Sequence, residues 1–304
     1  MIWRVLRCLI CIFTIIQVNT SFAYPSFTTL FGKFDSVLVR GDITVTIHRT
    51  SGPSYAVVHG DAADLNGLDF SIEKSWLKVC LGKGYPHFSK VTVDIYVQNL
   101  HRLTQRGQAR VIANGLYSSG LIVSSIGVAP VYLDGRIELR GVQARGRAHV
   151  EIHGINTKSM SMEMRDYAYA RLQGTIGVCQ LNIYDYSWLS MFWVNTNEMH
   201  LSLAENTYVQ MAGQLLLLDL EMFDNAHFYG RYLRVNRSFV RTHDRALAEI
   251  TTTRAQHTLA TGESHIDFYN IPRVKSSLMA GNAAVMDMRE WTWRWIYQDS
   301  NFLD

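Results

Sequence analysis

From residue 107 onward, apolar and polar positions alternate in short runs that keep one phase. A turn residue is followed two positions later by a small residue, four later by an apolar residue, and usually six later by another. The run reads Gly107-Gln-Ala109-Arg-Val111-Ile-Ala113, then Gly127-Val-Ala129-Pro-Val131-Tyr-Leu133. It returns as Gly146-Arg-Ala148-His-Val150-Glu-Ile152, Asp166-Tyr-Ala168-Tyr-Ala170-Arg-Leu172, Asp185-Tyr-Ser187-Trp-Leu189-Ser-Met191 and Glu205-Asn-Thr207-Tyr-Val209-Gln-Met211. Asp224 to Gly230 is a looser copy, and further copies start at Asp244, Gly262 and Gly281. Successive starts lie 18 to 20 residues apart across ten copies, a phase that chance alternation does not keep.

Side chains alternate between the two faces of a strand, so the small and apolar positions of each copy share one face. A second strand precedes each turn, marked by Leu103, Val123, Met162, Leu181, Leu201, Leu220 and Val240, each four residues before a start. Glycines at 115, 135, 154, 174 and 213 close the next corner. Two or three short strands with tight corners make one rung, and stacked rungs bury a continuous core that a single rung cannot. A leucine-rich repeat would show an asparagine column, which is missing, and a helical repeat would show 3.6-residue periodicity. The pattern predicts an all-β chain: a parallel β-solenoid of about ten rungs with 19–20 residues each.

Flanking segments differ in kind. Residues 1–23 have the order of a signal peptide: Arg4 and Arg7, an apolar stretch Leu9 to Val18, then Ser21-Phe22-Ala23 with small residues placed for cleavage. The apolar stretch is shorter than the roughly 20 residues of a bilayer span, so a retained anchor is the lesser alternative. Residues 24–97 form an irregular β segment, with strands at Val37-Val39, Ile43-Ile47, Ala56-Val58 and Val91-Val97; a capping module and early irregular rungs are both open. The solenoid is expected over 98–290. Residues 291–304, with Trp291, Trp293 and Trp295 alternating, are expected to cap its end.

Composition narrows the functional classes. Charged residues make up 18% of the 304 residues, aromatics 12%, and the net charge is +3 with no basic run. That excludes a dedicated nucleic-acid binder. After processing only Cys80 and Cys179 remain, several rungs apart, and they are expected to pack as buried thiols.

Candidate chemistry sits on the outer faces. Tyr169, Trp188, Tyr208 and His227 occupy the third position after the turn in four successive rungs, with Tyr132, Tyr167, Tyr186 and Tyr229 beside them. Such a stripe serves either as a contact face for a glycan or protein surface or as a ladder that stabilises the stack. Turn starts hold Asp166, Asp185, Glu205, Asp224 and Asp244, expected to cap N–H groups of their own turns; calcium binding is the alternative. Arg147, Arg171 and Asp185 on neighbouring rungs are the nearest approach to an acidic-polysaccharide enzyme. No nucleophile elbow, zinc helix or P-loop occurs, and His149 and His153 share a strand face without forming a helical zinc pair.

The stretch Phe34-Asp-Ser-Val-Leu-Val-Arg40-Gly-Asp-Ile-Thr-Val-Thr-Ile47, with Val57-Val58-His59-Gly60-Asp61, Leu77-Lys78-Val79 and Val91 to Val97, resembles the auto-transporter adhesin head GIN domains. The resemblance continues through Leu100, Leu103 and Arg106-Gly107-Gln108-Ala109-Arg110-Val111 and covers roughly residues 34 to 270. Gln98 stands where the family often has proline, and Arg106 to Ala109 where it has a Gly-Ser-Gly-like turn. The resemblance implies a right-handed parallel β-helix, secreted or associated with a bacterial envelope, and supplies no catalytic residue. No translocator barrel is expected in this chain. The expected function is an exported, non-enzymatic, adhesin-like interaction protein in the periplasm, cell envelope or medium. A polysaccharide lyase or hydrolase on the same scaffold is the alternative. No cofactor, metal, nucleic acid or membrane span after processing is expected.

Overall fold

Once a period-two strand stacks parallel on its copy, every column of side chains is decided together. In the computed structural model, which describes residues 25–289, nineteen strands join one continuous sheet. The signal peptide expected at 1–23 and the tryptophan-rich segment expected at 291–304 lie outside the described residues. From Arg110 to Ala260 the strands are long and bent, one per rung, each parallel to the rung before and after. The chain is therefore a parallel β-solenoid, as its periodicity predicts.

The columns match the sequence pattern. Val111, Val131, Val150, Ala170, Leu189, Val209 and Phe228 face one another through successive register pairs, and all are buried. The small column is also inside: Ala109, Ala148, Ala168, Ser187, Thr207, Ala226, Ala246 and Ser264 are buried at the crowded corner beside each turn. The looser copy at 224–230 has a packing reason. A Cβ on Gly230 would lie 2.3 Å from Phe228 Cε1, so the large ring and the missing side chain share one layer.

Turn starts take a left-handed backbone. Nine of the ten have positive φ, including Asp166 at 66°, Asp185 at 64°, Glu205 at 66°, and Asp224 and Asp244 at 58°; Gly127 is the exception. Glycine accepts this region freely, and aspartate tolerates it because its short polar side chain can bond locally.

The N-terminal segment is both stack and cap, in an order that does not follow the chain. Ser36–Arg40 lies parallel between Trp76–Leu81 and Arg102–Gly107. Ile43–Arg49 lies parallel between Val91–Val97 and the start of Arg110–Gly127. Residues 36–49 therefore make the second rung of the stack, and residues 76–97 the first. Tyr55–Asp61 and Leu68–Glu73 run antiparallel along that first rung, and Pro25–Phe31 runs antiparallel to Tyr55–Asp61. Antiparallel cover of this kind blocks the open edge of a parallel stack.

Cys80 is half-buried and Cys179 is exposed; both are free thiols. Cys179 departs from the buried position expected for it. Met160 pairs with Val178 and Ser161 with Gln180, so Cys179 is the extra residue of a β-bulge. A bulged residue leaves the alternation, and its Sγ–H instead donates to the Met160 carbonyl at 3.2 Å.

Candidate functional site

Parallel register brings the outward aromatic residues into line. Tyr169 pairs with Trp188, Trp188 with Tyr208, and Tyr208 with His227. Tyr169 and Trp188 stack with centroids 4.7 Å apart and planes 6° from parallel; Tyr208 and His227 do so at 4.8 Å and 7°. The column extends to His149, 4.4 Å from Tyr169, and on to Tyr132 at 5.7 Å. Tyr167 and Tyr186 form a parallel pair at 5.0 Å in the neighbouring column. Tyr229 lies 6.1 Å from His227.

His149 is a member that sequence reasoning missed as part of this face. It holds the same third position after the turn as Tyr169, which was the available signal. Its Nε2 lies 2.6 Å from Glu151 Oε1, and no hydrogen bond or ion pair joins it to His153 among the described residues.

The stack determines which ring surfaces remain open. Within a stacked pair, faces are spent on each other and only edges point outward. Among the described residues no ring stacking joins Trp188 to Tyr208, although their backbones are in register. The stack is thus interrupted there, between its two best-aligned pairs. Tyr169, Trp188, His227 and Tyr229 are half-buried, whereas Tyr167, Tyr186 and Tyr208 are exposed. Burial raises the phenols of Tyr169 and Tyr229 above the ordinary tyrosine value and lowers the imidazole of His227.

The acidic column does turn chemistry of a different kind from the one expected. Four of the five carboxylates, Asp166, Asp185, Asp224 and Asp244, accept from the turn of the preceding rung, not their own. The Gly146 N–H donates to Asp166 and the Asp166 N–H to Asp185, both at 2.8 Å. Those of Glu205 and Asp224 donate to Asp224 and Asp244 at 3.2 and 3.3 Å. N–H groups of the same turn are already used, since Tyr186 and Asn206 donate to the Asp166 and Asp185 carbonyls at 2.8 Å. The Asp166 N–H holds Asp185 below the usual carboxylate range, while a hydrogen bond to Asp185 pushes Glu205 up.

Among the described residues no group of three metal-ligating side chains comes together. Arg147, Arg171 and Asp185 are not joined by any ion pair there, and Asp185 is engaged with the Asp166 N–H. No described helix is long and apolar enough to cross a membrane.

A parallel β-solenoid with a cap of antiparallel strands and a ladder of outward rings defines the class as a stacked scaffold protein. The chain belongs to the family described as "Putative auto-transporter adhesin, head GIN domain", whose profile matches residues 33–205. No curated protein matches it in sequence. Among solved structures it is similar to a "putative adhesin" from Parabacteroides distasonis, with 14% identity and a TM-score of 0.46, covering 87% of this chain and 97% of that one. A "putative adhesin" from Parabacteroides merdae gives 13% and 0.44, covering 86% and 95%. A "Putative lipid binding protein" from Parabacteroides distasonis gives 12% and 0.41, covering 86% and 96%. Likenesses at this level carry no argument about a ligand.

Proposed function

We propose that the protein is an exported, non-enzymatic interaction protein of the cell envelope whose aromatic face contacts a glycan or a protein surface. The observation that carries this reading is the break in the ring stack between Trp188 and Tyr208. A continuous ladder would use every ring face for itself, whereas among the described residues Trp188 and Tyr208 each stack on one ring only, beside the exposed Tyr167 and Tyr186. Rigid rings with polar tips lose little conformational entropy on binding and suit both partner classes. Membership in an adhesin family supports the same reading.

A glycan and cell-surface binding screen tests it with three proteins: the parent chain, Trp188→Ala and Tyr208→Ala. Each substitution is expected to weaken attachment by about 2 kcal/mol, as loss of an aromatic anchor does. Trp188→Ala also removes the partner of Tyr169 and lowers the melting temperature, whereas the more exposed Tyr208 serves as the cleaner probe. Lowered melting temperatures with undiminished attachment by both variants would reduce the stripe to scaffold.

A further inference from the structure

The corner that carries glycine at 115, 135, 154, 174 and 213 has one member of another type. Trp193 follows Gly174 by 19 residues and precedes Gly213 by 20. Its φ of 66° matches the 69° of Gly115 and the 72° of Gly154. A bulky residue in the left-handed region is a steric outlier, and glycine at this place would remove the cost. The side chain is 75% exposed and makes no ring or cation contact among the described residues.

What surrounds Trp193 is apolar and cationic. Val194 pairs with Gly213, and Ala212 with Tyr232, which places Trp193 and Tyr232 in line two rungs apart; Tyr232 is 65% exposed. Leu216, 54% exposed, lines an open depression of about 390 Å³ together with Asn195, Arg234, Asn236 and Thr253. Arg237 pairs with Ala255 and Ala255 with Val274, so Arg254 and Arg273 border the same line. Arg234, Arg237, Arg254 and Arg273 are exposed and form no ion pair among the described residues, unlike Arg140, Arg145, Arg165, Arg241 and Arg289. Of the carboxylates on these rungs, Glu198 stands in the same column, in register with Leu217 and through it with Arg237, and is paired with His200 Nε2 at 3.1 Å. Asp219 and Glu221 are paired with Arg241, and Asp244, Glu249, Glu263 and Asp267 stand at turn starts or on the aromatic face. Ile271 and Val274 add exposed aliphatic surface at its end.

We propose that this corner seats the solenoid on an anionic lipid bilayer. Unpaired arginines are drawn to the negative surface potential, while indole and phenol rings settle at headgroup level and aliphatic tips enter the acyl boundary. An acidic polysaccharide would satisfy the arginines but leave Leu216, Ile271 and Val274 in water, so the lipid surface is the partner that uses the whole patch. The proposal goes beyond the function proposed above and stands on different residues.

Cosedimentation with vesicles tests it, using the chain purified in the form in which cells export it. The parent is expected to sediment with equimolar phosphatidylglycerol–phosphatidylcholine vesicles, to remain in solution with phosphatidylcholine alone, and to be released as salt is raised. Replacing Arg234, Arg237 and Arg254 with glutamine should lower partitioning about fivefold per arginine, near 100-fold together. Trp193→Gly should also weaken partitioning while the melting temperature holds or rises, because glycine relaxes the left-handed backbone. Equal sedimentation with both vesicles, no sedimentation, or unchanged partitioning by either variant overturns the proposal. Binding to heparin through the same arginines without vesicle binding also overturns it and assigns the corner to a polysaccharide.

Discussion

At Val150 and Glu151 two adjacent side chains report the register of the whole stack. Val150 is fully buried between Val131 and Ala170, whereas Glu151 points outward with its carboxylate beside His149 Nε2. Val150→Asp puts an unpaired charge inside the column and should cost more than about 3 kcal/mol in a denaturant melt. Glu151→Ala loses only a half-exposed contact and should cost no more than about 1 kcal/mol. Equal losses at the two positions would show that the strand is turned the other way, since a one-residue slip exchanges the two faces.

At the scale of the element, the acidic turns show how one column can stabilise and oppose the stack at once. Asp185 titrates lower than usual because a backbone N–H favours its charged form, so its contribution is present above the ordinary aspartate range and fades as pH falls. Glu205 has the opposite sign. Its hydrogen bond to Asp185 makes the folded chain hold the proton more tightly than the unfolded chain, so that contribution is lost as pH rises through the raised value. Where both groups are ionised they repel. Glu205→Gln keeps a hydrogen-bonding group without the charge. Its melting temperature should exceed that of the parent at pH 7, and the gap should close below the ordinary glutamate value of 4.5. A gap that persisted in acid would mean that the repulsion is not what the substitution relieves. The rungs and these turns were legible in the sequence because each copy repeats the same side-chain sizes at the same offsets. The aromatic columns were legible for the same reason. The cationic corner was not read from it, although Arg234, Arg254 and Arg273 stand 20 and 19 residues apart: a register shift pairs Arg234 with Thr251 and brings Arg237, which is outside that spacing, opposite Ala255. Cys179 escaped for a related reason, since alternation says nothing about which residue a bulge expels.

Across the whole molecule, the two ends of the stack depend on the chain in different ways. Alternation identifies Ile43–Arg49 and Val91–Val97 as strands, but not that the earlier one sits inside the later one in the stack. That order makes residues 36–49 an internal rung, bonded on both sides, although they lie near the start of the described chain. Strands at the far end are held on one side: Val274–Met279 pairs only with Leu247–Ala260, and Ala284–Asp287 only with His265–Phe268, among the described residues. In a solenoid, stability is close to a sum over neighbouring rungs, so losing a terminal rung costs one interface and losing an internal one costs two. Deleting residues 25–50 should therefore be far more disruptive than deleting everything from Gly262 on, even though the second deletion removes more chain. The C-terminal deletion should retain a cooperative melt and strand circular dichroism, with hydrogen exchange accelerated mainly in Leu247–Ala260. The N-terminal deletion should expose the edges of both Trp76–Leu81 and Arg102–Gly107, lose the cooperative melt and aggregate through those edges. A folded, monomeric protein after the N-terminal deletion would show that residues 36–49 lie on the outside of the stack and that the first two rungs follow chain order.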